Sequence, residues 1–294
     1  MIRALNKLRD IIACPICKTR VSLDKGEIIC HNCGRHYKIK EGIPIMLDEE
    51  SEKKIAKQLA NRPAERLIRS GLSPKLVKKL QWLQEIMNPP SPILFYKKKQ
   101  RISSFIAGLG LGTKIVEIGS GKRRLAPHII NLDIELFPNI DIIGDAHKLP
   151  FTHNSLDGVI LTNVLEIVEN PWVVIHEVYR VLKKGGKVYA EIPYMQPYHP
   201  GPIDCQRFTQ NGIDNLFKQF KKINLGVGEG PSSTLAWILK NYLACFSGNF
   251  YGYRILKIIS GWLTFPLKYL DYIMVKKTYS HVIACGFYYI GEKI

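Results

Sequence analysis

The chain contains no run of roughly 18 apolar residues free of charge, and that excludes a clear membrane-spanning helix. Acidic residues are scarce, with 25 Asp and Glu set against 42 Lys and Arg. The resulting formal charge of +17 excludes an acidic, solvating tail protein and points to an anionic partner, either nucleic acid or an anionic membrane surface. Met1 to Asp10 carries basic residues without an apolar core segment, so no secretory signal is expected. Cysteine is too sparse for a disulfide scaffold. Four of the seven sit in two CxxC pairs, which argues for a metal and a reducing compartment. A cytoplasmic location is expected, with peripheral attachment at the inner membrane surface as its variant.

What is present begins with those pairs, Cys14-Pro15-Ile16-Cys17 and Cys30-His31-Asn32-Cys33. Each pair fits a tight knuckle whose sulfurs point at one ion. Two knuckles supply the four thiolates of a tetrahedral zinc site, at Cys14, Cys17, Cys30 and Cys33. Between them, Val21, Leu23 and Ile28-Ile29 flank Asp24-Lys25-Gly26, a hairpin signal. With "GRHYKIKEGIPIML" closing the module, residues from about Ile11 to Leu47 resemble the small zinc-ribbon proteins that activate methyltransferases. The resemblance implies a structural zinc and a docking or stabilising role.

Asp48 to Pro92 reads as polar and helical. Ser73-Pro74 starts one helix, and Asn88-Pro89-Pro90-Ser91-Pro92 stops it. Ile93 to Leu109 reads as an amphipathic helix whose basic face, including Lys97-Lys98-Lys99, is solvated.

Ile115-Val116-Glu117-Ile118-Gly119-Ser120-Gly121 reads as a buried strand running into a glycine turn. A second strand ends at Asp133, where a carboxylate can accept from two ribose hydroxyls. Ile140 to Ile143 makes a third, followed by Asp145-Ala146, and Gly158 to Leu161 a fourth, ending at Asn163. The first two crossovers are too short for proper helices. Asn170-Pro171 starts a helix that Gly185-Gly186 should end, and Lys187 to Ile192 is a fifth strand. Ile223 to Val227 and His281 to Ile290 complete the strands.

"VEIGSG", "LD", "GDAHKLPF", "LDGVILTNVLEIV" and "EVYRVLKKGGKVYAEIP", in this order, resemble a class I S-adenosylmethionine-dependent methyltransferase of the compact, type 11-like branch. The sequence departs from that pattern in its two missing crossover helices and at Ile167, where relatives often have His. The resemblance implies an α/β fold with a Rossmann-like doubly wound sheet, preceded by a zinc ribbon and a helical linker. The expected division is 1–48, 49–112 and 113–294. It implies S-adenosylmethionine as cofactor, with Glu117, Gly119, Ser120 and Gly121 at its methionine and ribose part. Asp133 would hold the ribose, Asp145 and Ala146 the adenine, and Asn163 the pocket beneath the methionine.

The loop after the fifth strand holds His199, Asp204 and Arg207. His199 is the candidate general base; Asp204 and Arg207 are expected to pair, with Thr209 capping the next helix. An insertion at about 231–278 is rich in Trp, Tyr and Phe with nearly one-signed basic charge. That composition suits an anionic membrane interface, and equally a helical lid. The expected acceptor is a small molecule, a glycan or a lipid-linked compound. An RNA methyltransferase and a non-catalytic binding module are the competing readings.

Overall fold

The computed structural model describes residues 7–24, 26–60, 73–89, 95–110, 112–199 and 203–294. The N-terminal module opens with a small sheet of β1 (Ser22–Asp24), β2 (Glu27–Ile29) and β3 (His36–Tyr37). Short segments set the main sheet: β6 (Ile115–Ile118), β7 (Ile130–Asp133) and β8 (Ile142–Gly144), every residue of them buried. β9 (Leu156–Thr162) and β10 (Leu182–Pro193) continue it in parallel. β12 (Gly286–Lys293) runs antiparallel between β10 and β11 (Phe220–Glu229). The zinc module does not stop at a domain border. Its β5 (Ile43–Met46) pairs in parallel with β8, and β4 (Ile39–Lys40) pairs with β5. One nine-stranded sheet results, in the order β11-β12-β10-β9-β6-β7-β8-β5-β4.

Its two faces are covered differently. On one, Ile102 and Phe105 of a helix over Phe95–Ala107 pack on Ile115, Ile129, Ile160 and Tyr189. On the other, Leu8, Ile11, Ile12 and Tyr37 of the N-terminal module share one core with Val116, Phe151, Leu161 and Val178. The module thus covers this face of the sheet beside the helix Pro171–Val181. Thr152 N–H donates to Ile11 O at 2.8 Å and Ala13 N–H to Pro150 O at 3.0 Å, which stitches the two together.

The short crossovers are indeed helix-free, and side chains brace them. The Arg124 guanidinium donates to Ile129 O, Asn139 O and the Asp141 carboxylate, and Asn139 Nδ2 donates to Lys122 O. Two boundaries and one side chain differ from expectation. The helix Pro171–Val181 ends before Gly185-Gly186, which lie instead where β10 loses register against β9. Strand β12 starts at Gly286 because Ser280 and Val282 close turns onto Lys277 and Tyr279. Lys98, expected in solvent, is buried against Glu191.

The insertion forms the helices Pro231–Ala244 and Phe250–Thr264, then a 3₁₀ turn and the short helix Asp271–Met274. Asp271 is fully buried and accepts from Ser232 N–H, Ser233 N–H and Ser233 Oγ. A carboxylate at the first turn of a helix satisfies donors that have no partner within the helix. Among the described residues, no helix is long and apolar enough to cross a membrane.

Candidate active site and metal centre

The two CxxC segments fold as knuckles. Lys18, at φ 62°, and Gly34, at φ 69°, take the left-handed turns that bring each pair of thiols to one side. Lys18 N–H donates to Cys14 O and Gly34 N–H to Cys30 O. The four sulfurs of Cys14, Cys17, Cys30 and Cys33 lie within 4.8 Å of one another. Sulfur separations of 3.3 to 3.7 Å match what bonds of about 2.3 Å to one tetrahedral zinc require. Hydroxyls complete the surroundings: Tyr37 OH lies 3.0 Å from Cys14 Sγ and Thr19 Oγ1 3.1 Å from Cys17 Sγ. These outer partners orient the ligands, and the donor set suits a structural zinc.

A cleft of about 280 Å³ opens at the carboxyl ends of β6, β7 and β8, the ligand edge of an open α/β sheet. It is a mostly apolar cleft with a few placed polar groups, as small-molecule sites are. Gly119 and Gly121 form its floor at φ +67° and +57°. A Cβ on Gly119 would lie 2.5 Å from Val164 Cγ2, so only glycine fits there. Asp133 closes the loop from behind: Oδ2 accepts Gly121 N–H at 2.8 Å and Oδ1 accepts Glu135 N–H at 3.1 Å. Burial pushes its carboxyl up, while those backbone donors pull it back.

At the far end, Asp145 accepts from His147 N–H at 2.9 Å and faces His147 Nδ1 at 2.7 Å. Burial opposes its ionisation, but the His147 bonds outweigh it and hold the carboxyl below its ordinary value. Ala146 and Asn163 line the same cleft, Asn163 in the left-handed region at φ 56°.

The structure thus brings together Gly119, Gly121, Asp133, Asp145, Ala146 and Asn163. It places Glu117 and Ser120 behind the loop. Glu117 is fully buried and bound by the Arg123 guanidinium, which also reaches Thr162. Ser120 is buried too and is absent from the cleft lining. His199 stands on the surface loop, its N–H bonded to Asp204 Oδ2 at 2.8 Å. The expected Asp204–Arg207 pair forms, and Thr209 Oγ1 accepts Gly212 N–H at the start of the helix Gln210–Leu216.

Sequence reasoning missed the wall opposite. The helix Glu49–Ala60 brings Lys54 and Ile55 to the cleft. Lys54 Nζ meets Glu169 at 2.6 Å, and Ser51 Oγ donates to Asp145 Oδ2 at 3.2 Å. The amphipathic spacing of residues 51, 54 and 55 was readable; the surface they meet was not.

Residues 6–42 match the family model described as Trm112p-like protein. A UPF0434 protein of Pseudomonas fluorescens strain SBW25 is 51% identical over 47 residues, 15% of this chain and 77% of that protein. The N-terminal module of this chain belongs to the UPF0434 family. A UPF0434 protein of Cupriavidus necator is 36% identical over 58 residues, 19% of this chain and 85% of that protein. Residues 116–190 match the model described as methyltransferase domain. A putative sarcosine dimethylglycine methyltransferase from Galdieria sulphuraria aligns at a TM-score of 0.44 and 12% identity, over 67% of this chain and 86% of that one. A structure of the Haloferax volcanii Trm112 methyltransferase activator with a putative methyltransferase aligns at 0.39 and 14%, over 66% and 92%. Residues 116–190 thus carry a methyltransferase domain, and the N-terminal four-cysteine module is built into the same sheet.

Proposed function

We propose that this chain methylates a lipid-linked acceptor at an anionic membrane surface. The bound cofactor supplies a methyl group on a sulfonium; the protein's task is to bind, orient and accept a proton. In this reading Gly119 and Gly121 pass beneath the methionine part, and Asp133 takes the ribose hydroxyls. Asp145 and Ala146 take the adenine, and Asn163 borders the methyl-bearing end. Glu117 and Ser120 support the loop from behind.

One observation carries the choice of acceptor. The insertion turns its large apolar side chains outward: Phe246 is 73% exposed, Tyr251 78% and Leu263 71%. Its single acid, Asp271, is buried, while Arg254, Lys276 and Lys277 are exposed. Trp262 Nε1 donates to Met87 O, which joins this surface to the exposed Trp82 and Ile86 of the helix Pro74–Met87. A broad aromatic and aliphatic face with only positive charge matches an anionic bilayer interface. Each exposed Lys or Arg contributes on the order of 1 kcal/mol there, and salt weakens it.

Vesicle flotation tests this. The full chain is expected to float with anionic vesicles and far less with neutral ones. The double variant Phe246→Ser, Leu263→Ser is expected to lose most of that binding. Equal recovery on both vesicle types would remove the membrane from the account and leave RNA as the reading of the +17 charge.

A further inference from the structure

Beside the cofactor cleft, a narrow recess of about 10 Å³, room for one hydroxyl-sized group, opens at the carboxyl edge of the sheet. Its lining comes from β10, β11 and β12 with the turns after β9 and β10, and includes Asn163, Glu191, Gln196, Glu229 and Phe287. Asn163 also lines the main cleft, so the two spaces share a wall.

The two carboxylates in the recess differ. Glu191 is saturated: its Oε1 accepts the Tyr189 hydroxyl at 2.6 Å and lies 3.5 Å from Arg101, and its Oε2 meets Lys98. Glu229 is not. Its carboxyl touches the Cys285 thiol. The residue as a whole keeps partial exposure, yet Oε2 is shut off from solvent and has no hydrogen-bond partner among the described residues. A shielded carboxylate oxygen without a donor is rare in folded proteins and calls for an explanation. A ligand that brings its own donor supplies one.

The surrounding charge narrows that ligand. Lys98 and Arg101 hold Glu191, and the buried Lys268 of the insertion acts electrostatically on Glu229. An ammonium donor would enter against three cations. A second carboxylate would lie beside Glu229 without a proton to offer. A neutral hydroxyl fits both constraints. Burial, its largest influence, pushes the Glu229 carboxyl up and strengthens it as a proton acceptor.

We propose that this recess receives the reactive hydroxyl of the acceptor, with Glu229 accepting its hydrogen bond and then its proton. The inference rests on the methyl-transfer reading and deepens it. The hydroxyl oxygen forms the new C–O bond to the methyl carbon. The C–S bond breaks, sulfur keeps its electron pair, and the proton passes to Glu229, leaving a methyl ether. Position suits a lipid-linked alcohol. Glu229 is followed at once by Gly230 and the helix Pro231–Ala244, so the insertion starts beside the recess.

The test uses the full, zinc-loaded chain saturated with S-adenosylhomocysteine. Hexanol, hexylammonium and hexanoate are titrated in turn by NMR. Hexanol is expected to bind at least tenfold more tightly than either ion. Glu229→Leu is expected to lose that preference with an unchanged affinity for S-adenosylhomocysteine. Hexylammonium or hexanoate binding as tightly as hexanol would overturn the proposal, and so would a Glu229→Leu protein that keeps the alcohol. The head-group series in the unmodified chain decides even where the variant does not fold. Failure of S-adenosylhomocysteine itself to bind would overturn the methyl-transfer reading, and this inference with it.

Discussion

Asp133 and Glu166 show how the same side-chain chemistry is set to different ends by its surroundings. Asp133 spends one lone pair on each of two backbone donors and keeps acceptor capacity toward the cleft. Asp133→Ala is expected to weaken S-adenosylhomocysteine binding by about 1.5 to 3 kcal/mol, the worth of hydrogen bonds to a charged acceptor. Calorimetric titration reads this directly, and an unchanged affinity would remove Asp133 from the site. Glu166 is buried at the end of β9, with Oε2 unpartnered among the described residues and Arg207 at a distance. Burial, the largest influence, raises its carboxyl to about 7 from an ordinary value of 4.5. Below 4.5 both folded and unfolded chains are protonated. Between 4.5 and 7 the folded chain keeps a proton that the unfolded chain has lost, so stability falls as pH rises through that window. The full effect is roughly 3 kcal/mol. Glu166→Gln is expected to remove this slope. Denaturant midpoints at pH 5 and pH 8 should show the variant gaining on the parent at the higher pH; parallel behaviour would mean Glu166 is ionised when folded.

Among the elements, the first three parallel strands were legible because each is a short buried run that ends at or just before a glycine or an acid. Ile115–Ile118 and Ile130–Asp133 fall where their residues put them. The hairpin of the ribbon was legible for the same reason, with Gly26 at φ +87° in its turn. The pairing of Ile43–Met46 with Ile142–Gly144 was not. It joins segments about a hundred residues apart, and nothing local to either strand names its partner. Glu117 illustrates the limit at the site. Its place after two apolar residues marks a strand end, but only the fold shows that Arg123 turns back to bind it. Because the ribbon shares its core and its strands with the sheet, zinc should stabilise more than the ribbon. Metal binding free energy is folding free energy where no site preexists. Chelation in scanning calorimetry is expected to lower the melting of the whole chain in one transition. Two separated transitions, with the upper one unmoved, would show that the ribbon unfolds alone.

For the whole molecule, the zinc module, the sheet and the insertion occupy three places with three tasks. The module covers one face beside the helix Pro171–Val181 and extends the sheet beyond β8. The carboxyl edge holds the cleft and the recess that share Asn163. The insertion presents an apolar, basic surface next to that edge. Net charge alone does not separate a bilayer from RNA. The distribution does favour one: large apolar side chains stand outward among the positive charges, with no exposed acid in the insertion. The most direct test incubates the full chain with methyl-labelled S-adenosylmethionine and, separately, membrane lipid and RNA from one cell extract. The account predicts label in the organic-soluble lipid fraction, stable to mild base as an ether is, and little in RNA. Label confined to RNA, or base-labile label in lipid, would contradict it.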